Sequence, residues 1–361
     1  MSANGISSTS ADDLAQRLFD SVLGAMDMWA IYVGENLGYY DVLADGDAVT
    51  KDELAEATST DSRYACEWLE QQAVTGIVDV DDPRLPAEER RYTLPAGHAE
   101  VLTDRDSLNY LAPFMRLVTA AGIQLPALLG AYREGGGVSW EQFGADMRTG
   151  EAEMNRPWFL TALGRDWFPS MPEVHTRLRQ GGRVADIGCG EGWSSISIAL
   201  TYPKVTVDGF DVDVASIERA RLHAAESGVA DRVRFHNVDA AGVDLDGEFD
   251  LVTAFECIHD LPQPVDVLST MRRLVTDDGH VLVMDEKVAE QFPGRGDDVE
   301  RAMYGFSLFI CLPDGMSHQP SAATGTVMRP DTLRAYARQA GFQDVEILPI
   351  DHDHWRFYRL V

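Results

Sequence analysis

The sequence predicts an α/β protein: a doubly wound, mostly parallel sheet with helices on both faces, preceded by a mostly helical domain. Three observations carry this. From Arg183 onward, short β-branched runs alternate with helical patterns, the signature of strand–helix–strand units. A glycine-rich turn, Gly188-Cys189-Gly190-Glu191-Gly192, stands between the first of those strands and the helix after it. The first hundred residues instead read helix, turn, helix and hairpin.

The elements follow in order. Leu14, Leu18, Val22, Ala25, Trp29 and Val33 recur at helical spacing. Thr50 is placed as an N-cap before Lys51-Asp52-Glu53-Leu54-Ala55, and Asp61 opens a further helix carrying Tyr64, Trp68 and Leu69. Residues 77–80 and 91–94 form two short strands around a Pro- and Glu-rich loop, which completes a winged helix. This domain is expected to span residues 1–105. Residues 106–170 are helical and aromatic-rich, broken at Gly135-Gly136-Gly137, and serve either as packing or as the wall of a substrate pocket. The α/β domain takes residues 171–361, with seven strands at 183–187, 205–211, 232–237, 248–255, 279–285, 343–350 and 354–360. Helices fit 193–201, 213–228, 263–275 and 330–340. The last two strands, with almost no loop between them, form an antiparallel hairpin. Residues 288–328 make an insertion long enough to be lid-like.

Composition narrows the function classes. A chain of 361 residues, 45% hydrophobic, can bury the cores of two domains. The start, Met1 to Asp12, has no apolar core like that of a signal peptide, and no run of about 18 apolar residues occurs. Cys66, Cys189, Cys257 and Cys311 form no C-x-x-C pair, against structural zinc and disulfides. A soluble, cytoplasmic protein is expected. The formal net charge is -29, with lysine only at positions 51, 204 and 287. Such a field repels phosphates and anionic membranes. It also fits an acidic proteome working in concentrated salt, where screening relieves self-repulsion.

The glycine turn gives the sharpest chemical signal. A dinucleotide fingerprint would put its third glycine at position 193, where this chain has Trp193. That disfavours a dehydrogenase. The spacing is instead Asp186-x-Gly188-x-Gly190-x-Gly192, which resembles the first motif of class I S-adenosylmethionine-dependent methyltransferases. The resemblance implies a Rossmann-like fold and S-adenosylmethionine as cofactor. It places Asp186 near the methionine end and lets Gly188, Cys189, Gly190 and Gly192 border the ligand. Asp211, closing the second strand beside Val212, matches the acid that holds the ribose hydroxyls. Asp239, after Val233-Arg234-Phe235-His236-Asn237-Val238, matches the residue that meets the adenine amino group, with Ala240 and Phe255 beside the cofactor.

The fourth strand ends Phe255-Glu256-Cys257-Ile258-His259-Asp260, at the carboxyl end where such sheets bind ligands. It resembles the His-Asp segment of O-methyltransferases that also carry an N-terminal winged helix. That resemblance implies that His259 takes the proton from an acceptor hydroxyl, or else lines the pocket. Plant-type enzymes follow His-Asp with Trp, where this chain has Leu261 and Pro262. Glu256, Asp285, Glu286 and Trp167 are the substrate-binding candidates, with Glu256 or the Asp285–Glu286 pair orienting the base or the acceptor. A metal is not expected, because no third ligand joins that pair. Cys257-Ile258-His259-Asp260-Leu261, Val283-Met284-Asp285-Glu286-Lys287, Cys311-Leu312-Pro313-Asp314-Gly315 and Thr324-Gly325-Thr326-Val327-Met328-Arg329 look like a prokaryotic group of winged-helix methyltransferases of unassigned acceptor.

A small-molecule acceptor and a homodimer formed through the N-terminal domain are therefore expected. A winged helix could also bind DNA, making the chain a ligand-responsive regulator with a methyltransferase-like sensor. Residues 41–105 hold six basic side chains against sixteen acids, which weighs against nucleic acid as a partner.

Overall fold

A computed structural model describes residues 10–243 and 247–361. The first nine positions, most of the polar start, lie outside that range. The chain divides into two compact units, Met1–Thr119 and Ala120–Val361.

In the first unit, Ser10 caps the long helix α1 (Ala11–Asn36) by accepting the Asp13 N–H at 3.1 Å. Short α2 (Tyr39–Ala44) follows. Thr50 caps α3 (Lys51–Thr58) in a reciprocal box with Glu53, so two otherwise orphaned N–H groups are satisfied. Asp61 caps α4 (Ser62–Val74), accepting from the backbone of Arg63 and Tyr64. The wing is shorter than the sequence suggests: β1 (Asp79–Val80) pairs antiparallel with β2 (Tyr92–Thr93) over two residues each. α5 (Ala96–Thr103) follows, and α6 (Ala112–Ile123) runs past the unit's end. Tyr39, Tyr40, Leu43, Leu54, Leu69 and Tyr92 form the core.

The second unit begins with α7 (Leu125–Glu134) and α8 (Trp140–Trp158). The three glycines do separate those helices. Gly144 (φ 80°) kinks α8, and after Pro157 the helix widens into a π-helical stretch, Phe159–Trp167. α9 (Pro172–Gln180) leads into the sheet.

Strands and helices then alternate as β3 (Gly182–Ile187), α10 (Trp193–Thr201), β4 (Val205–Asp211), α11 (Val214–Glu226), β5 (Val233–Asn237), β6 (Phe249–Phe255), α12 (Pro264–Leu274) and β7 (Val275–Glu286). The insertion expected at 288–328 is helical through its middle. It contains α13 (Asp298–Phe306), a π-helical turn at Ser307–Cys311 and α14 (Leu312–Ser317). α15 (Pro330–Gln339), β8 (Val345–Ile347) and β9 (Trp355–Leu360) end the chain.

The seven strands lie in the order β5-β4-β3-β6-β7-β9-β8, parallel except for β9's pairings with β7 and β8. Seven residues, 348–354, join β8 to β9, more than the tight hairpin expected. The chain reverses direction across the sheet between β3 and β6, so the carboxyl ends of those strands frame the crevice where ligands bind.

Candidate active site

The glycine turn is fixed from below by a buried acid. Asp186 is 1% exposed, and its oxygens accept from Ser194 Oγ at 2.6 Å, Ser195 Oγ at 2.7 Å and Thr253 Oγ1 at 2.7 Å. Burial raises its pKa and the three hydroxyls pull it back down. It therefore clamps β3, the start of α10 and β6 together.

Above it the three glycines divide by what surrounds them. A Cβ on Gly188 would strike Cys257, and one on Gly192 would strike Phe235, so both glycines exist for packing. Gly190 is different. Its φ is +51° and nothing lies within 4 Å of where its Cβ would be. This is a backbone cradle open to a ligand. The Gly190 N–H donates to Asp211 Oδ2 at 2.9 Å, and Asp213 N–H donates to Oδ1 at 2.8 Å. Burial raises the Asp211 pKa against those two donors. Beside it, Val212 is 67% exposed, an apolar surface with no cover. Asp239 is exposed and accepts the Ala241 N–H at 2.9 Å, while Cys189, Ala240 and Phe255 are buried at the same edge. Trp193, in the third-glycine position, stacks on His223 at 4.4 Å.

The second half of the site lies where β6 and β7 end. His259 is 3% exposed, and its Nδ1 is 2.7 Å from Asp285 Oδ1. In the neutral ring Nδ1 then carries the proton and Nε2 the accepting lone pair, and the Cys311 thiol also hydrogen-bonds this ring. Burial opposes the charged imidazole, but Asp285 and Cys311 together outweigh it and hold the pKa well above imidazole's ordinary value. The turn itself is pinned from the insertion, since the Gly325 N–H donates to the His259 carbonyl at 2.9 Å.

Further carboxyls crowd this histidine. Glu256 sits in the left-handed region (φ 52°), a strain non-glycine residues bear mainly at functional sites. It accepts from Trp355 Nε1 and from Asn155 Nδ2, the latter at 2.5 Å. Asn155 Nδ2 also meets Glu151 at 3.0 Å. Burial pushes Asp260 and Glu286 each up to about 8, partly offset by the charge of His259. Burial raises Glu151 and carries Glu256 well above the carboxylate range. Among the described residues, no three His, Cys, Asp or Glu side chains converge as metal ligands.

Of the substrate-binding candidates, Glu256, Asp285 and Glu286 thus gather around His259. Trp167 does not: it packs in an aromatic cluster with Phe159, Trp355 and Phe357, beneath the sheet's end. His352 stacks on Trp355 at 4.4 Å, and burial lowers its pKa to about 4. Sequence reasoning missed Glu151 and Asn155, one helical turn apart on α8. Two polar residues four apart were the available signal, but nothing local tied α8 to the His259 turn.

Comparison with known proteins identifies both parts of the chain. Residues 178–319 match a family model described as a methyltransferase domain, and residues 25–104 match an Rv2258c-like winged HTH domain. The ubiquinone biosynthesis O-methyltransferase of Aromatoleum aromaticum is 33% identical over 175 residues, 48% of this chain and 69% of that protein. The Pseudomonas aeruginosa enzyme of the same name is 29% identical over 181 residues, with the same coverage. The fold matches mitomycin 7-O-methyltransferase MmcR (TM-score 0.71, 21% identity, 98% of this chain and 99% of that one). It also matches human N-acetylserotonin methyltransferase in complex with SAM (TM-score 0.67, 19% identity, 98% and 99%). The chain belongs to the class I S-adenosylmethionine-dependent methyltransferases that carry an N-terminal winged-helix domain.

Proposed function

We propose that this enzyme transfers the methyl group of S-adenosylmethionine to a hydroxyl of a small molecule, with His259 as the base. The observation that carries this is the 2.7 Å contact between His259 Nδ1 and Asp285 at the carboxyl ends of β6 and β7. The relatives are named O-methyltransferases, which supports oxygen as the acceptor atom.

The residues present fit the cofactor. Gly190 offers open backbone, Asp211 has lone pairs beyond its two backbone donors for the ribose hydroxyls, and exposed Val212 can cover one face of an adenine. Asp239 is exposed, and beyond the Ala241 N–H it can still receive the adenine amino group. When bound, the cofactor supplies a methyl carbon activated by a sulfonium. The chain's own contribution is alignment and proton removal. His259 Nε2 takes the hydroxyl proton while Asp285 holds the ring and stabilises the imidazolium that results. The raised pKa means that the resting ring tends to be protonated. A cation placed beside it favours the neutral, basic form.

The winged helix is assigned to assembly rather than to DNA. Lys51, Arg63, Arg84, Arg90 and Arg91 each pair with a carboxylate of the same unit, which leaves few cations for phosphate. On α1, Leu14, Leu18, Val22, Met26, Trp29 and Val33 are all exposed, a helical stripe that a second copy would bury.

The test is transfer of labelled methyl from S-adenosylmethionine into a cell extract at high salt, split by molecular size. Label in the small-molecule fraction is expected. Label in protein or RNA overturns the acceptor class, and cofactor binding without label overturns turnover itself.

A further inference from the structure

Two of the buried atoms left without a partner around His259 belong to residues of the site itself. Asn155 is 7% exposed and Asp285 is 1% exposed. Each buries an oxygen with no partner, Asn155 Oδ1 and Asp285 Oδ2. Both atoms can only accept. A buried acceptor left unpaired is costly, so an occupant that donates is strongly favoured there.

Charge points the same way. Five carboxyls (Glu151, Glu256, Asp260, Asp285 and Glu286) face one imidazole. Only Asp285 is directly matched by that ring. Glu256 and Glu151 receive neutral N–H groups from Trp355 and Asn155. Arg356, in register opposite Asp285 on β9, hydrogen-bonds Tyr358 and keeps a buried Nη1 without a partner, which adds one cation against the five carboxyls. Glu286 and Asp260, each pushed up to about 8 by burial, are readily ionised by an arriving cation. The cofactor carries a sulfonium and an amino group against its own carboxylate, so it brings a single net positive charge. That leaves negative charge over. A metal ion does not answer it, since no ligand set converges among the described residues.

We propose that the acceptor carries an ammonium group beside the methylated hydroxyl, held by Glu151 and by the free oxygens of Asn155 and Asp285. This deepens the methyl-transfer reading above and rests on it. Three acceptors can take the three N–H bonds of a primary ammonium, whereas a neutral hydroxyl offers a single donor and an anion is repelled by the same carboxyls. The group thereby selects amine-bearing acceptors over plain phenols or carboxylic acids.

The experiment uses the full-length enzyme at high salt, a small-molecule extract and S-adenosylmethionine with a deuterated methyl group. Products are recognised by mass after passage over a strong cation exchanger at neutral pH. The expected product is retained at neutral pH and released by strong ammonia. A product that passes straight through overturns the ammonium while leaving methyl transfer intact. Bound cofactor with no deuterated product overturns both readings. With the retained acceptor purified, Glu151→Gln is expected to raise its KM about 10-fold or more, the usual weight of a charge-assisted hydrogen bond. The calorimetric affinity for S-adenosylmethionine should stay within about 2-fold, a margin far below that of a lost charge-assisted bond. If cofactor affinity instead falls in step with KM, Glu151 serves the cofactor's own cation and the proposal is wrong. Glu151→Asp, which keeps the charge, is expected to recover part of the KM; a KM as poor as that of Gln argues against a charge contact.

Discussion

Asp186 and Asp285 occupy the same place on different strands. Each is the last residue but one of a strand, β3 or β7, and each is 1% exposed. Their surroundings differ. Asp186 has three hydroxyl donors spread over both oxygens. Asp285 receives His259 Nδ1 and the Glu286 N–H on one oxygen and nothing on the other. A fully satisfied buried acid holds structure, whereas one with an idle oxygen beside a histidine is placed for chemistry. Depth and residue type alone do not separate the two; the partner list does.

The largest effect that sharpens this contrast is His259→Ala. Removing a general base costs about 10²–10⁴-fold in rate. We expect kcat to fall by that much while calorimetric affinity for S-adenosylmethionine is kept. Full turnover at saturating acceptor would demote His259 to pocket lining.

Asp186→Ala should act on stability instead. It strands three buried hydroxyls, each worth about 1–3 kcal/mol if left unpaired. A loss of at least about 2 kcal/mol in urea unfolding is expected, since some hydroxyls can turn to nearby carbonyls. Unchanged unfolding with lost cofactor binding would make Asp186 a ligand contact, as the motif's resemblance implies.

Asp285→Asn should show a smaller and pH-dependent change. The Asp285 carboxylate raises the His259 pKa, so the neutral ring gains population as pH climbs through that raised value. In the native enzyme kcat should therefore rise with pH above the ordinary imidazole range. Without the carboxylate, burial meets less opposition and the His259 pKa falls, moving the rising limb of the profile to lower pH. The variant should lose about 10-fold at its plateau through weaker ring orientation, a modest share of a general base's contribution. A limb that stays in place would show that another group titrates.

Much of this was legible in the sequence, and the exceptions share a cause. Strand 205–211 and helix 193–201 have the bounds expected from periodicity, because burial on both faces leaves an apolar run and a glycine turn marks its end. Gly190, Asp211 and His259 stand at the ends of three strands that neighbour one another in the sheet, where local motif and topology agree. Glu151 and Asn155 were not legible, since only long-range packing brings α8 to the His259 turn. Helices inside 288–328 escaped because Gly294, Pro313 and Gly315 break the pattern, while the π-helical turn has no 3.6-residue period. Likewise Trp167 was legible as aromatic but not as core, because its partners lie on β9.

The smallest expected effect concerns the exposed acids rather than the buried ones. A formal charge of -29 repels itself through solvent over distances that salt shortens to about 3 Å at 1 M. The buried carboxyls near His259 are shielded from that screening, whereas the surface is not. Raising KCl from dilute buffer to 1 M should therefore stabilise the fold without shifting the kcat profile assigned to His259. For domains of this size, each kcal/mol of relieved repulsion lifts Tm by about 2–4 °C. A Tm that does not move would mean that local pairing, of the kind that links Arg91 to Glu53 and Arg183 to Glu248, already neutralises the field. A Tm that rises together with a displaced pH limb would mean that surface charge reaches His259 after all, and the two populations of acid would have to be treated as one.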